Sequence, residues 1–160
     1  MSKRPFNKTA YNAFDMKAKI MLKNIIEKNS KYKLIGDLEV EYFKECDLKF
    51  QNQDKVVLFE NEVRREFETI RDSFSTIHVP FRKKNTKANF YLVWKPDFLQ
   101  FILINEKTLD KYRENIVRDV YCNHELNQNG GYFEDFVDIP KNETQWYVIG
   151  ENYKLIKLDY

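Results

Sequence analysis

The 160-residue sequence has few residues that loosen or cross-link a chain: 4 glycines, 4 prolines and 2 cysteines. So few glycines and prolines argue against long flexible linkers. Four glycines also leave little material for a phosphate-cradling loop, and the sequence has no P-loop, G-x-G-x-x-G or G-x-S-x-G motif. Cys46 and Cys122 show no metal-binding spacing, which favours reduced thiols in the cytoplasm over a disulfide.

Long apolar runs and a strong net charge are missing too. No run approaches the roughly 18 apolar residues of a membrane span. The first residues, MSKRPFNKTAYN, lack the apolar centre of a signal peptide. A net charge of +2 is too small to indicate a nucleic-acid partner by itself. We therefore expect a cytoplasmic protein with no membrane partner.

What the chain does contain is typical of a folded globular protein. Hydrophobic residues make up 42% and charged residues 32%, and the length suits one domain over residues 1–160 with a flexible lead-in at 1–8. The 13 phenylalanines and 10 tyrosines can fill a bulky core or form stacking surfaces for bases.

The most informative stretch is KVVLFENEVRREFE, from Lys55 to Glu68. Its apolar start predicts a buried strand. Glu60 and Glu62 follow at a spacing of two, so both carboxylates leave the same face of that strand. Buried carboxylates are costly unless paired. A divalent cation, an arginine, or exposure at the strand end would each remove the cost.

A second acidic row precedes this stretch. The segment Lys31–Phe43 alternates as a strand, with Asp37, Glu39 and Glu41 on one face. If the two strands align in one sheet, their carboxylates converge on one patch, and repulsion raises their pKa values unless a cation is bound. The alternative is a half-exposed strand with its acidic side in water.

The remaining patterns complete an α/β chain. Thr9–Asn29 carries a helical apolar stripe. Pro80 places the strand Ile77–Lys83 at a sheet edge or a bulge. The other predicted elements are strands Asn89–Trp94 and Phe98–Ile104 in a hairpin around Lys95-Pro96-Asp97, a helix Glu106–Leu126, a turn over Asn127–Gly131, and short strands in FEDFVDIP, QWYVIG and NYKLIKLDY.

Basic residues gather after the strand that contains Pro80: Arg82, Lys83, Lys84 and Lys87. Such a run is either a solvated loop or a phosphate-binding element, and its position beside the acidic strands favours the second interpretation. His78 is either a general base or a packed side chain. Cys122 and His124 have no second pair of metal ligands, which argues against a zinc site.

The order of an acidic strand, a Glu-x-Glu strand and an I-x-x-P-x-R-K-like basic strand resembles the PD-(D/E)XK nucleases of the restriction-endonuclease-like superfamily, and among them small phage-type members. The resemblance covers residues 10–105. It matches Asp37 to the first acid, Glu60 and Glu62 to the paired acids, and Pro80, Arg82 and Lys83 to the basic strand.

The sequence departs from that pattern at two places. Gly36, rather than a proline, precedes Asp37, and Asp47 and Asp54 are rival candidates for the first acid. Glu62 replaces the usual lysine of E-x-K, unless the motif is read one step later, as Glu62-Val63-Arg64.

The resemblance implies a single α/β domain with a central mixed sheet flanked by helices, in a protein of the cytoplasm or, if virus-encoded, of the host cytoplasm. It implies an Mg²⁺-dependent or Mn²⁺-dependent nuclease acting on DNA. Asp37, Glu60 and Glu62 would bind the metal and, with Lys83, form the catalytic set; the nucleic-acid contacts would be Arg64, Arg82, Lys84 and Lys87. The alternatives are an inactive nuclease-fold module that binds nucleic acid or a protein, and a phage-type protein that binds a host protein through aromatic side chains. The sequence does not indicate an oligomeric state.

Overall fold

The computed structural model describes residues 14–40, 42, 45–65, 67, 71, 74–83, 86–122 and 132–159. Within these ranges the helices are α1 (Met16–Asn29) and α2 (Glu106–Tyr112). The strands are β1 (Lys33–Leu34), β2 (Leu48–Asn52), β3 (Lys55–Val63), β4 (Thr76–Pro80), β5 (Phe90–Trp94), β6 (Gln100–Asn105), β7 (Ile116–Cys122), β8 (Tyr132–Pro140), β9 (Gln145–Ile149) and β10 (Leu155–Leu158).

These strands form two sheets in one α/β domain. The larger is a curled, half-barrel sheet of seven strands in the order β1-β2-β3-β5-β6-β9-β10. This sheet is mixed, because β3 and β5 run parallel while the other pairs of adjacent strands are antiparallel. The smaller sheet is antiparallel, with three strands in the order β4-β8-β7.

The chain alternates between the two sheets. It leaves the large sheet after β3 for β4 and returns for β5 and β6. It leaves again for β7 and β8, and β9 and β10 then complete the large sheet. Each sheet is therefore assembled from segments that are not contiguous in sequence.

Each face of the large sheet covers a separate core. On one face, Leu22 and Ile25 of α1 pack against residues such as Leu92 and Trp94. On the other face, Tyr91 and Val93 pack against the small sheet and against Leu109 of α2. Neighbouring residues of β5 thus enter opposite cores, as the two-residue period of a strand requires.

Several sequence predictions are confirmed. The chain is α/β with a mixed sheet and a helix packed against each of its faces. The Lys95-Pro96-Asp97 turn joins β5 and β6 as an antiparallel hairpin. β4, which ends at Pro80, lies at the edge of the small sheet as far as the described residues show. β10 is likewise an edge strand of the large sheet.

The strand predicted over Lys31–Phe43 is wrong. The regular strand stops at Leu34, and Gly36 adopts a φ of +69°, which an L residue rarely adopts and which ends the extended run. The Asp37 carboxylate accepts a hydrogen bond from the Glu39 amide at 2.9 Å and so closes a turn. Glu41 lies outside the described residues.

The helix predicted over Glu106–Leu126 is also wrong beyond its first turns. α2 ends at Tyr112, and residues 116–122 form strand β7. The apolar residues Leu109, Tyr112, Ile116 and Val120 follow one another at helical spacing, but Ile116 and Val120 belong to β7 and pair with Val137 and Glu134 of β8. The predicted turn at 127–131 and the lead-in at 1–8 lie outside the described residues.

Within the described parts of the chain, none of the helices has both the length and the apolar character needed to cross a membrane.

Candidate functional site

Glu60 and Glu62 project from the same face of β3, as their spacing predicts. In the parallel pair β3–β5 they lie beside Tyr91 and Val93, whose side chains enter the core beneath the small sheet. Asn61 faces the other way and accepts a hydrogen bond from Trp94 Nε1 at 3.0 Å. The two carboxylates therefore lie in the space between the two sheets.

Asp47 is the acid that the fold brings to Glu60. It precedes β2, whose first residue, Leu48, pairs with Phe59, so the next pair along the antiparallel strands is Asp47 opposite Glu60. The Asp47 amide donates to the Phe59 carbonyl at 2.9 Å, and Asp47 Oδ2 accepts from the Asn61 amide at 2.8 Å. These two bonds fix the Asp47 carboxylate against β3.

Lys83 reaches the same point from the other sheet. After β4 the chain makes a 3₁₀ turn over Phe81–Lys83, and Lys83 Nζ lies 2.5 Å from Glu60 Oε2. The Thr86 hydroxyl lies 3.2 Å from Glu60 Oε1. Only 2% of the Glu60 side chain is exposed, against 25% of that of Lys83. The lysine therefore links a buried carboxylate to the solvent side of the site.

Glu60 carries the main electrostatic anomaly of the site. Burial, followed by repulsion from Asp47, raises the pKa of Glu60 to about 7, although Lys83 acts in the opposite direction. Protonation of Glu60 relieves its repulsion from Asp47. At neutral pH Glu60 is therefore poised between its charged and neutral forms.

Glu62 belongs to a separate network. Arg64 Nε donates to Glu62 Oε1 at 2.6 Å and Arg64 Nη2 to Glu62 Oε2 at 3.2 Å, forming a two-pronged ion pair. Tyr91 also donates to Glu62 Oε2, and Arg64 donates to the His78 carbonyl of β4. Since 8% of the Arg64 side chain and 15% of the Glu62 side chain are exposed, the pair is a buried connection between β3 and β4.

Neither Asp37 nor Asp54 joins the two glutamates. Leu38, next to Asp37, packs into the core beneath α1, and its carbonyl accepts a hydrogen bond from Lys19 of that helix. Asp37 thus lies at the face of the large sheet opposite to Glu60 and Glu62. Asp54 is exposed in the turn between β2 and β3, at the end of that hairpin remote from Asp47.

The other predicted site residues are only partly described. Lys87 is exposed near Glu45, whose carbonyl accepts from the Lys87 amide at 3.3 Å. Lys84 and His124 fall outside the described residues, and the structure does not describe the side chains of Arg82 and Cys122. His78 Nε2 lies 3.1 Å from Asp138 Oδ1, so the His78 ring contacts β8, the strand that pairs with β4 in the small sheet.

Two members of the networks were missed from the sequence, Thr86 and Tyr91. Thr86 comes 26 residues after Glu60, and no local pattern connects them. Tyr91 belongs to the predicted strand Asn89–Trp94 and lies in the core, and no local pattern indicates a role for its hydroxyl. A signal did exist for Asp47, since the tight turn that pairs Asn52 with Lys55 sets the register that places Asp47 opposite Glu60.

The donor set at this point suits a magnesium ion better than a metal that needs many protein ligands. Among the residues that the structure describes, no three His, Cys, Asp or Glu side chains are grouped as a metal site. Asp47 and Glu60 offer two adjacent carboxylates, and Mg²⁺ is commonly bound through one or two carboxylates with waters and substrate phosphates. The pair therefore fits Mg²⁺ or Mn²⁺, with Asp47 in place of Asp37.

Comparison with known proteins assigns no family to this arrangement: no protein-family model matches the chain, and no curated protein sequence matches it.

Proposed function

We propose that the protein is a metal-dependent nuclease that hydrolyses phosphodiester bonds of DNA on a restriction-endonuclease-like fold. The observation that carries the proposal is the meeting of Asp47, Glu60 and Lys83 at one partly buried point. Two carboxylates and one ammonium group are the side chains that a phosphate and its metal ion require. The order of a Glu-x-Glu strand and then a strand that runs into a basic segment also agrees with the nuclease resemblance.

In this proposal Asp47 and Glu60 hold Mg²⁺ or Mn²⁺. When bound, the ion supplies an activated water and neutralises charge on the phosphate. Thr86, 3.2 Å from Glu60, restricts the carboxylate to one orientation. The Asn61 amide does the same for Asp47.

Lys83 takes the place of the lysine that the Glu-x-Glu motif lacks. Its ammonium group lies 2.5 Å from Glu60, and a quarter of its side chain is exposed, so it can meet a phosphate from the solvent side. Arg82 and Lys84 flank Lys83 in the sequence and Lys87 follows it, and we assign to these basic residues the contacts with the DNA backbone.

Glu62 and Arg64 have a positioning role in the proposed enzyme. Their ion pair and the bond from Arg64 to the His78 carbonyl hold β4 against β3. Lys83 follows β4 by three residues, so this connection sets where the lysine enters the site.

The test is a cleavage assay with supercoiled plasmid, single-stranded DNA and RNA, each with Mg²⁺, Mn²⁺ or EDTA. We expect cleavage of DNA that EDTA abolishes and that Asp47→Asn and Lys83→Met each reduce by about a hundredfold or more. Asp54→Asn and Lys28→Met are the matched controls, because both residues are exposed and Lys28 lies on α1, which covers the other face of the large sheet. Equal cleavage by Asp47→Asn and Asp54→Asn would overturn the proposal.

The second candidate is an inactive module of the same fold that binds nucleic acid or a protein. The contacts of Glu60 favour it, since Lys83 and Thr86 already occupy both carboxylate oxygens. A protein that binds DNA in a salt-dependent manner, with no response to metal ions and no cleavage, is the outcome that selects this candidate.

A further inference from the structure

An exposed aromatic pair lies on the small sheet beyond the part that packs against the large sheet. Tyr121 of β7 and Phe133 of β8 are directly opposite each other, with ring centroids 5.4 Å apart in an edge-to-face arrangement. The two residues are 59% and 52% exposed. Large aromatic side chains left in water are unusual enough to need an explanation.

The pair shares its sheet face with core residues. Along β8, Phe133, Asp135, Val137 and Ile139 alternate on one face by the two-residue period. Val137 and Ile139 are buried in the core beneath the large sheet. Phe133 therefore lies on the face of the small sheet that is turned toward the large sheet. Glu60 lies on the facing side of the large sheet.

A bulge in β7 places an arginine between the aromatic pair and the candidate site. Val117 pairs with Phe136 and Val120 with Glu134, so two residues of β7 oppose Asp135 alone. One of them, Arg118, is held by Asp135, whose oxygen lies 2.8 Å from Arg118 Nη1. Its guanidinium carbon lies 5.7 Å from the centre of the Phe81 ring, two residues before Lys83.

The contrast in burial shows what this arrangement presents to solvent. The Asp135 side chain is 6% exposed, whereas that of Arg118 is 63% exposed. A buried carboxylate thus fixes the direction of an exposed guanidinium. Along this face the Tyr121 and Phe133 rings come first. Arg118 follows, and then Lys83 with the buried Glu60.

We propose that Tyr121, Phe133 and Arg118 bind a single-stranded segment of the nucleic acid next to the bond that is cleaved. The rings stack on unpaired bases, and Arg118 contacts the phosphate between them and the Lys83 site. Bases in an intact duplex are stacked on each other and do not expose their faces. The proposal rests on the proposed function for the nature of the ligand, and it makes the preferred substrate single-stranded or frayed.

Binding is measured in EDTA, so that its result does not depend on cleavage. The probes are fluorescein-labelled oligo-dT, oligo-U and a duplex of equal length, with fluorescence anisotropy as the readout. We expect wild type to bind at least one single-stranded probe more tightly than the duplex. Tyr121→Ala with Phe133→Ala should weaken that binding about tenfold or more, because both rings on which bases stack are removed.

Phe74→Ala is the matched control, since Phe74 is 47% exposed and precedes Thr76, at the end of the small sheet remote from Phe133. A second readout uses Phe133→Trp, which should retain binding and show quenching of tryptophan fluorescence by oligo-dT, whereas Phe74→Trp should not. Thermal unfolding confirms that each variant is folded.

Equal affinity for single strand and duplex overturns this inference, and so does an equal loss of binding in the Tyr121→Ala/Phe133→Ala variant and in the Phe74→Ala control. So does the absence of oligonucleotide binding, which would leave the rings as a contact for a protein. If removing the rings changes neither cleavage nor binding, the inference about the rings is wrong and the proposed nuclease function stands. If binding depends on the rings but no cleavage occurs, the inference stands and the proposed nuclease function is wrong.

Discussion

Asp47, immediately before β2, lies opposite Glu60 of β3, one position beyond the Leu48–Phe59 pair. Glu60 binds a proton more readily than an isolated carboxylate does, because it is buried and the like charge of Asp47 repels its own. The pair therefore connects the protonation of the protein to its stability and to the binding of any cation.

Glu60 should make the protein less stable as the pH rises through neutrality. Its pKa is raised from 4.5 to about 7 in the folded state, so its contribution to stability is complete below pH 4.5 and is lost as the pH approaches about 7. The change over this window is at most about 3–4 kcal/mol, since each pKa unit corresponds to about 1.4 kcal/mol. Urea unfolding of wild type and Glu60→Gln across this range measures it. The variant should have a flatter profile, and Glu39→Gln, at an exposed acid, should follow wild type. Parallel profiles for Glu60→Gln and wild type would contradict the prediction.

Glu62→Gln should destabilise the protein whether or not a metal ion is present. The substitution breaks the Arg64–Glu62 ion pair, in which the Arg64 side chain is 8% exposed, and breaking a buried pair by removing one charge costs about 3–5 kcal/mol. Thermal unfolding is the measurement. Glu45→Gln is the control, because Glu45 pairs with Lys49 near the surface and such pairs contribute about 1 kcal/mol or less. A Glu62→Gln variant as stable as wild type would assign Glu62 a role other than pairing with Arg64.

Mg²⁺ or Mn²⁺ should stabilise the wild-type protein and Asp54→Asn but not Asp47→Asn. A ligand at a hundredfold excess over its Kd adds about 2.7 kcal/mol to the folded state. Asparagine at position 47 retains an oxygen for the Asn61 amide, so the strand pairing survives while one metal-binding charge is lost. Thermal shift with added ion, followed by removal with EDTA, gives the answer. An equal shift in all three proteins would place the ion elsewhere.

Lys83→Met should move the Glu60 titration to higher pH. The positive charge of Lys83 holds the pKa of Glu60 below the value that burial and Asp47 would otherwise produce. Carboxyl ¹³C NMR follows the titration directly. Lys87→Met should leave it in place, since Lys87 is exposed and pairs with none of these groups in the described contacts. A titration that is unchanged in Lys83→Met would mean that the lysine does not act on Glu60.

Local pattern was sufficient for the parts of the fold that depend on neighbouring residues. Alternation placed Glu60 and Glu62 on one face of β3, and the turn residues located the β5–β6 hairpin. The helix prediction failed beyond Tyr112 because a spacing of four, as between Ile116 and Val120, fits a strand as well as a helix. The β-branched residues Ile116, Val117 and Val120 were the contrary signal.

The candidate site was less predictable, because its members meet through the tertiary fold. Lys83 and Glu60 are 23 residues apart and belong to elements of different sheets. Asp37 was predicted as the first acid because the alternation of apolar and acidic residues in the sequence continues through Gly36. In the structure the backbone turns at Gly36. Asp47 could be chosen over it only from the register of the β2–β3 hairpin.

The alternation of the chain between its two sheets has a consequence for how the protein can be divided. Glu60 lies on β3 of the large sheet, and Lys83 follows β4 of the small sheet. The strands β8 and β9, which complete the small and the large sheet, come much later in the sequence. A truncated chain or an isolated sheet is therefore missing part of the scaffold around the cluster. Any ligand that binds there reports on completed folding, and a chain emerging from the ribosome cannot bind it until its last strands have docked.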